Sequence, residues 1–285
     1  MPVRIVQSKQ NARLKDLRRA LAAPGRKAGR VAGIEGPNLV VEALRAGLKI
    51  DCVFVAESMQ KWVQALRLPA ETEVLIVPSG ILTAILATET PQPVAALVEP
   101  FAWIWRDLLE PDDGRLPLIL VLAGVQDPGN LGTILRSAEA FGATGVVSLP
   151  GTVQAWNAKA VRASAGSVFR VPVLAASAQE CFARLRDAGV TIRTTAARGT
   201  EPAGEANLKE PVAFVIGNEG NGVREELAAR ADGGITIPCP GPVESLNAAV
   251  AASVLLYEAA RQRGALSNSR SRSRPAAKKS ARSRR

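Results

Sequence analysis

Apolar positions alternate between short continuous runs and stretches with helical spacing, punctuated by glycine and proline. Residues 7–21 read as a basic amphipathic helix with Leu14, Leu17 and Leu21 on one face. Residues 31–35 read as a strand. Pro37 then opens a helix that Gly47 closes. A strand over 50–56, a helix over 58–66, a strand over 74–77, a helix capped by Ser79 and a strand over 94–98 follow. Strands alternating with helices predict a small α/β domain over residues 1–100. Residues 101–115, with Trp103, Trp105 and a PDDG turn, read as a linker.

The same alternation resumes over residues 116–264, the second predicted domain. From Leu118 the run LILVLA is uninterrupted, as in strands buried in parallel sheets. Asn130 reads as the N-cap of a helix that starts at Leu131 and ends at Gly142. Strand 146–149, helix 157–165, strand 168–173, helix 178–188 and strand 191–195 follow, and strand 212–216 enters the loop GNEGNG. A strand over 235–238 leads to a loop with Pro240, Gly241 and Pro242. Ser245 reads as the N-cap of an alanine-rich helix. That helix has almost no charge before Glu258, which predicts burial on most sides. Residues 24–30 read as a mobile loop and residues 265–285 as a low-complexity, disordered basic tail.

Composition narrows the class. The 285 residues are 47% apolar, enough for a sizeable core. The longest apolar stretches, such as 248–257, are too short to span a bilayer, and MPVRIVQSKQ has no apolar signal core. A cytoplasmic protein with no membrane partner is expected. Cys52, Cys181 and Cys239 lie far apart without metal-ligand spacing, which predicts a reducing compartment and no metal. Histidine is absent, which removes Ser-His-Asp and Cys-His catalysis.

The net charge of +10 sits at the two ends. Residues 1–30 hold nine Lys/Arg against one acid, Asp16, and residues 265–285 hold eight and no acid. The body between them is mildly acidic. Two basic ends point to a polyanion, most simply nucleic acid; a solubilising tail and a solvated helix face are the alternative. On the first helix Arg13, Arg18 and Arg19 are the candidate RNA contacts.

Three loops follow strands of the second domain: 124–130, 217–222 and 239–245. In a parallel sheet such loops share the edge at the carboxyl ends of the strands, where ligands bind. None is a G-x-G-x-x-G turn or a P-loop, so dehydrogenase and NTPase readings lose their main support. The polar residues in and beside the loops are Asn130, Asn218, Glu219, Ser245 and Asn247, with Arg136 six residues after Asn130.

In order and separation these segments resemble the SpoU (TrmH-type) family of RNA ribose 2′-O-methyltransferases, in the SPOUT superfamily. The likeness rests on NLGTILRSAEAFG (130–142), FVIGNEGNGV (214–223) and IPCPGPVESLNAAVAASVLLYEA (237–259), and extends across 116–263. IEGPNLVVEALRAG (34–47) resembles the substrate-binding domain often joined to that family, similar in fold to ribosomal protein L30. The resemblance implies an α/β chain: a C-terminal SPOUT-type parallel sheet with a deep trefoil knot, preceded by a small L30-like domain. It implies S-adenosylmethionine bound among the knotted loops, with Gly217, Asn218, Ile237, Pro238 and Leu246 as cofactor-binding residues. At Gly217 a Cβ is expected to clash with a ligand lying against the backbone. It also implies a homodimer with the active site near its interface. Asn130, Arg136, Glu219, Ser245 and Asn247 match the family's polar active-site positions.

The implied reaction is methylation of a ribose 2′-hydroxyl, in ribosomal RNA first and transfer RNA second. It needs a group that takes up the proton or stabilises the oxyanion. The family's usual base would be Arg136. Because arginine is effectively always protonated, the alternative role is to grip the adjacent phosphate and stabilise the alkoxide. The rival reading from another class is a non-catalytic RNA-binding or ribosome-assembly protein of the same fold. A nicotinamide-dependent oxidoreductase is a distant third.

Overall fold

The computed structural model describes residues 2–22, 31–86, 92–196, 200–218, 220–243 and 245–266. The first part of the chain is built from β1 (Val3–Ile5), α1 (Ala12–Ala22), β2 (Ala32–Glu35), α2 (Pro37–Ala46), β3 (Lys49–Ala56), α3 (Gln60–Gln64), β4 (Glu73–Val77), α4 (Ser79–Thr83) and β5 (Val94–Glu99). These strands form a five-stranded sheet in the order β1-β4-β3-β5-β2. The β1, β4 and β3 strands are parallel, whereas β5 runs antiparallel to both β3 and β2.

The second part comprises α5 (Trp105–Leu109), β6 (Leu118–Leu122), α6 (Pro128–Ala140), β7 (Gly145–Ser148), α7 (Ala158–Ala163), β8 (Val173–Ala175), α8 (Ala178–Asp187), β9 (Thr191–Thr195), β10 (Glu201–Pro202), β11 (Val212–Ile216), α9 (Glu225–Ala228), β12 (Gly233–Thr236) and α10 (Ala248–Gln262). Its seven strands pair in the order β10-β12-β9-β11-β6-β7-β8, every pair parallel. The run LILVL of β6 is buried throughout, because β11 and β7 flank it and other elements cover both faces.

Several expected elements are displaced, each for a local reason. The first helix begins at Ala12 rather than near Gln7, because the Asn11 side chain accepts from the Arg13 amide (2.9 Å) and stops the helix there. Ser79 caps nothing with its hydroxyl; it is the first residue of α4, behind Pro78. The strand expected over 168–173 is a 3-10 turn, Ser167–Phe169, followed by β8. Its apolar residues fill the core instead: Phe169 is fully buried and stacks on Trp156, with ring centroids 5.6 Å apart. Pro172 has no amide to give a ladder there. The expected linker contains α5, and Leu108 is fully buried in the core of the second sheet. The expected mobile loop over 24–30 lies outside the described residues, as does the tail from residue 267.

The two sheets are not separately cored. One continuous cluster of buried side chains runs from Ile34, Val40 and Val53 to Leu120, Phe169 and Leu255. Polar contacts cross the same seam. Arg170 bonds Glu42 of α2 at 2.8 Å and also pairs with Glu139 of α6. Burial acts against its charge, but the two carboxylates hold the Arg170 guanidinium above its ordinary pKa, Glu139 contributing most.

Gly132 shows how tightly α6 meets α7. A Cβ there would overlap the Ala163 Cβ and lie 2.6 Å from the Ala160 oxygen and 2.8 Å from the Ser164 nitrogen. Gly132→Ala is therefore expected to force the helices apart, at a cost of about 1–3 kcal/mol as for other overpacked cores. Circular dichroism should record a thermal midpoint several degrees lower; an unchanged midpoint would show that the helix pair has slack.

Candidate active site

The carboxyl ends of β9, β11 and β12 open into a cavity of about 1010 Å³. Thr195, Ile216, Gly217, Asn218, the 220–223 turn, residues 235–240, Ser245 and Leu246 line it, and Ala251 and Leu255 of α10 close its floor. All five residues expected to bind a cofactor, Gly217, Asn218, Ile237, Pro238 and Leu246, are in this lining.

The loop after β11 is built on itself. Asn218 and Gly222 exchange amide-to-carbonyl bonds of 3.0 and 2.9 Å, and Gly222 takes φ +64° to close the turn. Gly217 is buried beneath this turn. A Cβ at Gly217 would overlap the Gly222 carbonyl group and the Val223 nitrogen. The glycine thus lets the chain pass its own backbone, and the expectation that a Cβ would meet a ligand is corrected. The Asn218 side chain donates to the Gly124 carbonyl at 2.9 Å, tying this loop to the one after β6.

The expected polar residues divide. The cavity is lined by Ser245, which is exposed at its rim. Asn130 and Asn247 meet outside the lining: the Asn247 amide donates to Asn130 Oδ1 at 3.1 Å. This bond joins the amino-terminal ends of α6 and α10. Arg136 is exposed on α6 and is not part of the cavity wall. Glu219 lies outside the described residues.

Both expected helix caps move. The N-cap of α6 is Asp127, not Asn130: its carboxylate accepts from the Asn130 amide at 2.8 Å, with Pro128 in the first helical position. That backbone bond is the main reason the Asp127 carboxyl is held below its ordinary pKa; Lys159, 3.3 Å away, adds to it. The N-cap of α10 is Asn247, not Ser245, with Oδ1 accepting from Ala249 (2.9 Å) and Val250 (3.3 Å). Asp127-Pro128 was a legible start signal that Asn130 obscured. Among lining residues outside the motifs, Thr195 carried no signal beyond the end of its strand.

As expected, α10 is buried on most sides, and one face is left open. Val250, Val254 and Tyr257 are 47%, 37% and 47% exposed, forming a stripe one helical face wide. Ser253, beside that stripe, bonds Ser137 of α6 at 2.7 Å.

On α1 the arginines part ways. Arg13 is committed to Asp51 (2.8 Å) and Glu73 (3.0 Å), while Arg18 and Arg19 are exposed. The buried Cys52 and Cys181 thiols are pushed up by desolvation, the latter to about 12, so neither is a nucleophile. Among the described residues no group of three or more Cys, Asp or Glu could hold a metal ion, and no helix is long and apolar enough to cross a membrane.

Known proteins share this arrangement. Residues 117–257 match the SpoU rRNA Methylase family and residues 11–96 the MRM3-like substrate binding domain. The chain is 32% identical over 256 residues to the 23S rRNA (guanosine(2553)-2′-O)-methyltransferase RlmP of Bacillus subtilis, spanning 88% of this chain and 97% of that protein. The crystal structure of an AdoMet-bound rRNA methyltransferase from Sinorhizobium meliloti superposes with a TM-score of 0.80 at 33% identity, covering 91% of this chain and 98% of that one. The SpoU methyltransferase AviRb from Streptomyces viridochromogenes, in complex with AdoMet, superposes with a TM-score of 0.78 at 26% identity, covering 89% and 98%. From its motifs, its parallel sheet and these likenesses, the chain belongs to the SpoU rRNA methylase family.

Proposed function

We propose that this protein is an S-adenosylmethionine-dependent RNA methyltransferase acting on a ribose 2′-hydroxyl, in ribosomal RNA first and transfer RNA second. One observation carries the reading. Residues of three separate motifs converge at one sheet edge, where Asn247 bonds Asn130 next to the cavity lined by Gly217, Asn218, Ile237, Pro238 and Leu246. The name of the Bacillus relative, an rRNA 2′-O-methyltransferase, supports the substrate class.

The cavity fits the cofactor in size and chemistry. Ligand sites commonly span about 300–1,000 Å³, with mostly apolar walls and a few polar groups. Here Ile237, Leu246 and Leu255 supply apolar surface, and residues 217–218, 220–222 and 237–240 supply backbone groups outside any strand. When bound, S-adenosylmethionine supplies a methyl group on a positively charged sulfur. Ser245 holds the ribose hydroxyl at the rim, and the Asn130–Asn247 pair orients the sugar. Arg136 brings a fixed cation that grips the neighbouring phosphate and stabilises the oxyanion. Glu219 keeps a polar role on sequence grounds alone.

The working unit in this reading is a homodimer in the cytoplasm, joined through the apolar stripe Val250, Val254 and Tyr257 of α10. Arg136, exposed on the neighbouring α6 and absent from its own cavity wall, then serves the partner's site. The deep trefoil knot inferred from the family belongs to the same reading. Arg18 and Arg19 contact RNA phosphate, and Arg13 anchors α1 on its sheet.

The test is methyl transfer by the full-length protein from labelled S-adenosylmethionine to unmodified 23S ribosomal RNA and to bulk transfer RNA. Label is expected in ribosomal RNA, at a ribose that resists alkaline cleavage. Cofactor and RNA binding without transfer to either RNA would favour the non-catalytic RNA-binding reading.

A further inference from the structure

A second cavity, of about 980 Å³, opens at the seam between the two halves of the molecule. One wall comes from the first half, through Val31, Ala32 and the segment 100–102 that leaves β5. The other comes from the carboxyl ends of β7 and β8 and the loops after them: residues 148–150, 152–156 and 173–177. It therefore opens on the same edge of the parallel sheet as the first cavity, two strands further along.

The two cavities share a wall. Gly124 accepts from the Asn218 side chain, which lines the first cavity, and its amide donates to Thr152 Oγ1 (3.1 Å), which lines the second. The Val153 amide donates to the Val125 carbonyl at 2.9 Å, and Thr152 Oγ1 also donates to Leu122 (2.8 Å). A ligand that spans both cavities would cross one hydrogen-bonded ridge.

The chemistry of the second cavity is aromatic with sparse hydrogen bonding. Phe101 is 40% exposed at the rim and tilted against Trp103, with ring centroids 5.2 Å apart. Trp156 lines it on the opposite side, its ring held in place by the stack on Phe169. Two polar side chains are uncommitted. The Ser148 hydroxyl is buried without a partner, and Gln154 is exposed with its amide bonded to no described residue. The others are used internally: Glu180 accepts from Trp105 Nε1 at 2.9 Å, and Ser177 accepts from the Glu180 amide at 3.1 Å.

We infer that this cavity receives an unpaired base of the RNA substrate, flanking the nucleotide that is methylated. The inference rests on the RNA methyltransferase reading. Single-stranded RNA is held by splaying bases onto aromatic faces and bonding their edges with side chains. Phe101 and Trp156 offer the faces, and Ser148 and Gln154 offer the edge contacts. The continuous ridge at Gly124 lets one strand enter both cavities. Charge fits as well: among the described residues, Glu180 is the one acidic residue of the lining, and its carboxylate is occupied by Trp105.

The experiment uses the full-length protein and the single-stranded oligonucleotide pentaadenylate as probe, with cofactor affinity measured in parallel by calorimetry. Phe101→Ala is expected to weaken oligonucleotide binding about 10-fold, in line with the loss of one base–aromatic stack, while Phe101→Trp restores it. Gln154→Ala should weaken it less, and quenching of tryptophan emission by pentaadenylate should diminish in Phe101→Ala. Cofactor affinity should be the same in all three. Oligonucleotide affinity within about twofold of wild type in Phe101→Ala would overturn the inference, since a base stack is worth more than that. Failure of the wild-type protein to bind S-adenosylmethionine would instead overturn the methyltransferase reading.

Discussion

Arg136→Ala is expected to lower the rate of RNA methylation by about 100- to 1,000-fold while cofactor affinity stays within about twofold, the pattern left by removing a donor that acts in the transition state. The side chain is exposed on α6 and absent from the cavity wall, so its loss leaves that wall unchanged. Arg136→Lys should recover little, because a point charge cannot reproduce a planar fork on phosphate. Single-turnover transfer of labelled methyl groups, with calorimetry alongside, separates the two quantities. If the alanine variant turned over near the wild-type rate, Arg136 would be a solvated helix residue and nothing more.

Elements whose apolar pattern agrees with their burial were legible from the chain. Residues 191–195 and 212–216 are strands with the bounds their sequence suggests, and Gly47 ends α2 in the left-handed conformation expected of a C-cap glycine. Sequence and structure part where several residues could do one job. Asp127 and Asn130 are both good caps three residues apart; the proline after Asp127 decides between them. Ser245 and Asn247 compete in the same way, and the strand before them stops at Thr236 because the following segment, with Pro238 and Pro240, turns into the cavity wall. Residues 168–173 have the apolar run of a strand, but the Gly166 turn (φ +88°) and the ion pairs of Arg170 bend them into the seam. Local propensity holds no information about that long-range partner.

At the site, the glycine-rich loops and their shared edge were legible because parallel strands send their carboxyl ends the same way. The wall made by Ala251 and Leu255 was not, since a buried alanine-rich helix looks alike whichever side faces a cavity. The exposed stripe of α10 was missed for a related reason. Val250, Val254 and Tyr257 are as apolar as the residues packed inside, and hydrophobicity alone does not tell a buried face from an exposed one.

Gly217→Val is expected to abolish measurable cofactor binding, by about 100-fold or more, through the protein's own backbone. The added side chain would have to occupy the space of the Gly222 carbonyl and the Val223 nitrogen, so the 218–222 turn must move. Moving it breaks the paired Asn218–Gly222 bonds and pulls the Asn218 side chain from Gly124, which opens the wall that both cavities share. Calorimetry on a variant whose melting curve stays cooperative checks this, and Gly217→Ala, which brings the same Cβ without the branches, should fail almost as badly. Wild-type affinity in either variant would mean that the turn gives way without cost. Arg136→Ala and Gly217→Val together test the dimer. Each protein alone should be inactive, but mixed and re-equilibrated protomers should regain up to about a quarter of wild-type activity if Arg136 serves the partner's cavity, because half of random dimers are mixed and each then holds one intact site. An arginine that serves its own cavity would leave the mixture dead, since every site would then lack either the arginine or the folded turn.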